Sequence, residues 1–181
     1  MIENELKFIL TKEQYYKAKD GIKWNEIIEQ VNYYYTDNEN ENITIRVREK
    51  NDKYYLQVKI PLSEDKGIHI KKEFTKEIFE IPSIITATEL SELAGEKINN
   101  ASYIGKLKTT RLKKKINQAE LCLDKNEYLG ITDYEIEIEY LDVKSREECL
   151  AQIQRCALSL DNTKVSGKYT RFKQARKRIE E

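Results

Sequence analysis

Hydrophobic and polar residues alternate strictly along much of the chain. Ile2, Leu6 and Phe8 alternate with Glu3, Glu5 and Lys7; Ile45 and Val47 alternate with Arg46 and Arg48; Leu56, Val58 and Ile60 alternate with Gln57 and Lys59. The pattern continues in Ile68, Ile70 and Phe74 against His69, Lys71 and Glu73, and in Leu121 and Leu123 against Glu120, Cys122 and Asp124. It closes with Ile136, Ile138 and Tyr140 against Glu135, Glu137 and Glu139. A period of two marks strands with two chemically different faces. The Tyr-rich stretch Ile27 to Tyr35 and the stretch Ile104 to Leu112 are further strand candidates, bringing the expected number to about eight.

Helical signals are fewer. Thr11, followed by Glu13 and Gln14, can cap a short helix through Lys19. Thr88 to Ile98 is a second candidate. Ser145 with Glu148 three residues later reads as a capping box opening a helix through Leu160, with Leu150, Ile153 and Ala157 on one face. The tail from Tyr169 to Glu180 reads as a helix with a basic surface. No Pro/Gly/Ser linker, low-complexity tract or repeat divides the chain, and 181 residues suit one domain spanning 1–181.

The polar faces are unusual. Strand after strand carries carboxylates or guanidinium groups rather than a mixture of Thr, Ser and Lys. Like charges at Glu3/Glu5 or Glu135/Glu137/Glu139 stand ~7 Å apart along a strand, and neighbouring strands bring them closer. Such an accumulation is costly unless a counter-ion sits among the carboxylates. A barrel with a wet, charged lumen and helices packed outside satisfies this pattern. So does a curved sheet with one solvated, charge-mixed face. Alternation alone leaves both open.

Composition narrows the partners. Hydrophobic residues are 39% and charged residues 35%, a globular but ion-rich chain. Lys+Arg and Asp+Glu are both 32, so there is no global basic field and neither nucleic acid nor membrane is an expected partner. Cys122 stands alone and Cys149 and Cys156 lie on one helical face, which suits buried free thiols in a reducing, cytoplasmic setting. The opening residues Met1 to Glu5 lack the basic and apolar regions of a signal peptide, and no apolar run approaches the ~20 residues that span a bilayer. A soluble protein is expected. Oligomeric state is not legible.

One set of motifs supplies a family. Glu3-Asn4-Glu5-Leu6-Lys7 reads E-x-E-x-K on the first strand and resembles the opening signature of the CYTH superfamily, the triphosphate tunnel metalloenzymes. In order along the chain, Arg46-Val47-Arg48 resembles the family's paired basic residues, Lys59 its next strand lysine, Glu73 the following acidic residue and Arg111 its later arginine. Asp124, Leu129-Gly130 and Glu135-Ile136-Glu137 resemble its aspartate, glycine and E-x-E module, and Ser166 to Phe172 its closing Ser-x-Lys-Tyr-x-x-Phe segment. Two positions depart from the pattern. The second strand ends Tyr35-Thr36-Asp37 rather than Tyr-Asp-Thr, and Thr109 stands where many members carry lysine, with Lys106 and Lys108 of the outward parity.

The resemblance implies a mainly β fold, a closed antiparallel β-barrel tunnel with peripheral helices. It also implies a metal-dependent triphosphatase acting on inorganic tripolyphosphate or a small organic triphosphate. Class IV adenylyl cyclase and a non-catalytic polyphosphate- or nucleotide-binding module are the alternatives. Lys7, Arg46, Arg48, Lys59, Arg111 and Lys168 would bind phosphate, with Lys71 an additional candidate. Glu3, Glu5, Glu73, Asp124, Glu135 and Glu137 would hold Mg²⁺ or Mn²⁺, for which hard oxygen ligands are suited. Glu3, Glu5 and Lys7 would act in catalysis. Plainer roles stand beside these: Arg46 and Arg48 in an ion-pair ladder with Glu135 and Glu137, Glu139 at the rim, and Cys122 and the lone His69 in packing. Tyr33 to Tyr35 would pack the core or lumen rim, and Arg171 to Arg178 would form a solvated face.

Overall fold

The computed structural model describes residues 2–40, 42–65, 68–158, 160 and 165–181. In chain order the elements are β1 (Ile2–Leu10), α1 (Lys12–Gly21), β2 (Glu26–Thr36), β3 (Thr44–Lys50), β4 (Lys53–Asp65), β5 (Ile68–Ile78) and β6 (Ile84–Ile85). There follow α2 (Ala87–Ala94), β7 (Ala101–Ile116), β8 (Ala119–Tyr128), β9 (Ile131–Tyr140), α3 (Val143–Arg155) and α4 (Lys168–Glu180). Antiparallel pairing runs β2-β3-β4-β5-β1-β9-β8-β7, and β7 returns to β2, closing an eight-stranded barrel. The two-residue β6 is an appendage on β7. Closure rests on a long register from Glu26 opposite Lys113 to Thr36 opposite Ser102. The tunnel, rather than the open curved sheet, is the observed solution.

Tight turns set the hairpin registers. Asn51 and Asp52 between β3 and β4 take φ of 51° and 58°, and Leu129 and Gly130 between β8 and β9 take 47° and 77°. Two consecutive left-handed residues match the twist of the strands they join. Alternation then places the apolar faces outside. Leu6, Phe8, Leu123 and Ile136 pack under Tyr15 and Ala18 of α1 and Cys149 and Ile153 of α3. Ile45, Val47, Leu56 and Val58 pack under Leu90 and Ala94 of α2.

Helices α2 and α3 differ from the sequence expectation at both ends. The cap of α3 is Asp142, whose carboxylate accepts from the Ser145 backbone N–H at 2.9 Å and from its hydroxyl at 2.7 Å. Ser145 is therefore three residues inside, and Glu148 accepts from Asn117 instead of closing a box. The helix stops at Arg155, with Ala157 at φ 50°, rather than running to Leu160; Ser159 lies outside the described residues. α2 begins one residue earlier than expected and ends at Gly95 in the left-handed conformation, before Ile98.

α4 differs in kind from the other helices. Its Tyr169, Phe172 and Ala175 form a cluster with Tyr34, Leu107 and Tyr128 of the barrel wall, so it plugs one end of the lumen. Gly105 permits this approach: it sits at φ 139°, and a Cβ there would lie 2.7 Å from Phe172 Cζ. Among the described residues no helix is long and apolar enough to cross a membrane.

Candidate active site

The inward faces of the strands and the first turn of α4 enclose a cavity of about 850 Å³. β1 contributes Glu3, Glu5 and Lys7; β3 Arg46 and Arg48; β4 Lys59; β5 Lys71 and Glu73; β7 Arg111; β9 Glu137; and α4 Lys168. Asp124 of β8 and Glu135 of β9 lie fully buried beside them, linked to Arg111 and Lys168. The alternation that puts Leu and Ile outside forces these charges into one space.

Most of them answer one another. Lys7 Nζ lies 2.9 Å from Glu5 and 3.4 Å from Glu137. Lys71 pairs with Glu5, and Lys59 Nζ lies 2.5 Å from Glu3 and 2.9 Å from Glu73. Arg111 holds Asp124 with both Nε (2.8 Å) and Nη2 (2.7 Å), and reaches Glu137 at 2.6 Å and Glu139 at 3.3 Å. Lys168 lies among Asp124 (2.8 Å), Glu137 (2.9 Å) and Glu135. Burial alone would raise the Glu5 carboxyl, but Lys7 and Lys71 outweigh it and hold it well below the usual carboxylate range. Glu73 likewise is pushed down to about 2, burial being outweighed by Lys59 and Arg46. Glu3 goes the other way: burial raises it, and Lys59 does not fully offset the effect.

Arg46 and Arg48 are the exception. Among the described residues no carboxylate lies within ion-pair distance of either, so the ladder with Glu135 and Glu137 does not form; Lys7, Lys168, Arg111 and Arg171 take those carboxylates. Arg46 Nε donates to the neutral Gln57 Oε1 at 2.9 Å, and Arg48 Nε donates to Asn32 Oδ1 at 2.9 Å. Burial, then Arg46 and Arg111 alongside, push the Arg48 guanidinium down from its ordinary value. Two adjacent guanidiniums oriented by neutral amides, with no carboxylate of the described residues in ion-pair contact, form a fork for an external anion.

Comparison with known proteins places this geometry. The CYTH domain family matches residues 1–167. The chain belongs to the CYTH domain family. A Bacillus subtilis (strain 168) protein provisionally named triphosphatase YjbK is 28% identical over 182 residues, covering 94% of each chain. Among solved structures, a Bacillus halodurans protein provisionally described as an adenylate cyclase has a TM-score of 0.68 at 24% identity, covering 93% of this chain and 95% of its own. A Hippeastrum protein provisionally described as an adenylyl cyclase, with a dominant triphosphatase activity, has a TM-score of 0.69 at 17% identity and 95% coverage of both chains. These likenesses share the tunnel fold.

CYTH tunnel enzymes are metal-dependent, and the residues present fit a hard divalent ion. Asp124, Glu135 and Glu137 are buried and can each present an oxygen within 4.8 Å of the others. Carboxylate oxygens of this kind suit Mg²⁺ or Mn²⁺ rather than zinc. In this structure Lys168, with Arg111, offsets their charge. Glu3, Glu5 and Glu73 are not gathered into such a cluster; they form a second acidic group held by Lys59, Lys7 and Lys71.

The remaining CYTH positions resolve individually. Asp37 accepts from the backbone of Glu39 and Asn40 and from the Asn40 amide, bracing the turn after β2, and is not among the residues lining the cavity. Lys106 and Lys108 are exposed, Lys108 pairing with Glu29 at 3.1 Å. Cys122, Cys149 and Cys156 are buried thiols. Buried His69 lines the cavity. Arg171 overturns the expectation of a solvated basic face: it reaches Asp133 at 2.8 Å, Glu135 at 2.6 Å and the Ser166 carbonyl at 2.6 Å. Its signal was available, since Arg171 is three residues from Lys168 on the face that α4 buries. Gln57 is a second residue that charge alone did not single out. It bridges Arg46 to Glu73, donating to the latter at 2.7 Å.

Proposed function

We propose that this CYTH chain, read as one unit from residue 1 to 181, is a cytoplasmic metal-dependent triphosphatase acting on inorganic tripolyphosphate or a small organic triphosphate. The carrying observation is the pair Arg46 and Arg48, one buried and one half-buried in the charged tunnel, with only neutral hydrogen-bond partners among the described residues. A polyphosphate supplies the anionic oxygens that this fork lacks, and planar guanidiniums bind them in bidentate fashion.

Asp124, Glu135 and Glu137 would hold Mg²⁺ or Mn²⁺, with Glu3, Glu5 and Glu73 as the second acidic group. A bound ion of this kind neutralises charge on phosphate oxygens and acidifies an attacking water. The chain's own residues do the rest. Arg46 and Arg48 fix the phosphates against rotation, Lys59 and Lys7 add point charges, and Arg111 holds Asp124 and Glu137 in place. Lys168, now among the carboxylates, can exchange that role for a phosphate contact once another cation is present. Glu5, kept ionised by Lys7 and Lys71, remains an acceptor throughout the neutral range. α4 closes one end against bulk water, which strengthens every charge interaction inside.

A panel of tripolyphosphate, ATP and other small triphosphates, each with Mg²⁺, Mn²⁺ or chelator, tests the proposal. Orthophosphate release from tripolyphosphate or a small triphosphate, exceeding cyclic AMP formation from ATP and abolished by chelator, is the expected result. Dominant cyclic AMP would replace the hydrolase with a cyclase. Metal-independent turnover would remove the carboxylates from their assigned role.

A further inference from the structure

The inward face of β2 carries three neutral side chains in a row, Gln30, Asn32 and Tyr34, that are 4%, 0% and 0% exposed. Gln30 Nε2, Asn32 Nδ2 and the Tyr34 hydroxyl find no hydrogen-bond partner among the described residues. An orphaned buried donor is destabilising, and native structures hold few of them. Three on one face of one strand point to a ligand.

Their chemistry restricts what that ligand is. The free atoms of Gln30 and Asn32 are donors, and the Asn32 oxygen is already taken by Arg48. Burial pushes the Tyr34 phenol up, so it stays a protonated donor at neutral pH. Amide N–H and phenol O–H donors of this kind suit the anionic oxygens of a phosphate chain. Position agrees. Tyr34 lies opposite Arg46 and Asn32 opposite Arg48 across the β2–β3 pair. Gln30 lies opposite Thr109 across the β2–β7 pair, and the Thr109 hydroxyl is spent on Asn126 at 2.7 Å. Gln30 and Tyr34 both line the cavity. Alternate residues of a strand stand about 7 Å apart, so the strip follows an extended ligand for about 14 Å.

We propose that Gln30 and Tyr34 are substrate-binding residues that donate to the non-bridging oxygens of the polyphosphate beside Arg46 and Arg48, with Asn32 between them orienting Arg48. This rests on the triphosphate reading and adds to it a recognition strand without charge. Gln30 supplies the free donor at the level where Thr109 offers none.

The test is titration calorimetry of wild-type protein, Gln30→Leu, Tyr34→Phe and the double variant with inorganic tripolyphosphate in chelator, where no turnover occurs. Thermal unfolding of each without the anion accompanies it. Asn32 is left intact because its oxygen orients Arg48. Each single variant is expected to bind about tenfold more weakly, the size of losing one hydrogen bond to a charged group. Its ligand-free melting temperature is expected to be unchanged or higher, because the removed group had no protein partner. Unchanged affinity with a lower melting temperature would show a packing role and overturn the inference. Variants binding as tightly as wild type, at any melting temperature, would overturn it while leaving the triphosphate reading standing. Wild-type protein that takes up no tripolyphosphate would overturn the anion site itself, and this inference with it.

Discussion

Glu5→Gln is expected to lower the rate of tripolyphosphate hydrolysis at least ~100-fold, the scale of removing one strong electrostatic stabiliser. The substitution preserves shape and removes one charge from a side chain that is 3% exposed. Lys7 and Lys71 both lie against that carboxylate, so its loss leaves two ammonium groups short of a partner. Lys7 then leans further on Glu137, 3.4 Å away, and disturbs the Asp124, Glu135 and Glu137 cluster as well. Steady-state kinetics with Mg²⁺ check this, with a melting curve to confirm that the variant is folded at the assay temperature. Full activity in a folded Glu5→Gln protein would take β1 out of the site.

Arg111→Met is expected to have the largest effect on stability, about 3–5 kcal/mol at neutral pH, the range for removing one partner of a buried charge network. Burial would raise the Asp124 carboxyl, yet Arg111 first and Lys168 second hold it well below the usual carboxylate range. A carboxylate with a depressed folded pKa contributes stability above its unfolded pKa and loses it as pH falls. The wild-type advantage should therefore be complete above about pH 4, near the unfolded value of an aspartate, and shrink below it. Urea unfolding of both proteins at several pH values measures this. A difference that stays constant down to pH 2 would mean that Arg111 stabilises through packing rather than through Asp124.

The inward residues of β1, β3 and β9 were legible because a period of two writes both strand faces directly into the chain. Barrel closure was legible only through the family resemblance and not through alternation. It depends on the β2–β7 register, a pairing far apart in sequence between two strands whose own alternation is weak. The start of α3 was misplaced because Asp142 and Ser145 both carry side chains able to cap a helix, and the carboxylate that reaches the Ser145 N–H makes Asp142 the cap. Arg171 was hidden in a basic run. Tyr169, Phe172 and Ala175 turn that face of α4 inward, and the partner that makes Arg171 part of the site, Glu135, lies on β9. Gln30 and Asn32 carry no charge, so nothing in their composition separates them from an ordinary strand face. Only burial without partners does so.

The central claim, that Arg46 and Arg48 await a polyphosphate inside the tunnel, is tested most directly by a crystal structure of the protein with bound tripolyphosphate. Phosphate oxygens are expected within about 3 Å of Arg46, Arg48 and Lys7 nitrogens inside the barrel. Tripolyphosphate bound elsewhere, with Arg46 and Arg48 still held only by Gln57 and Asn32, would contradict it.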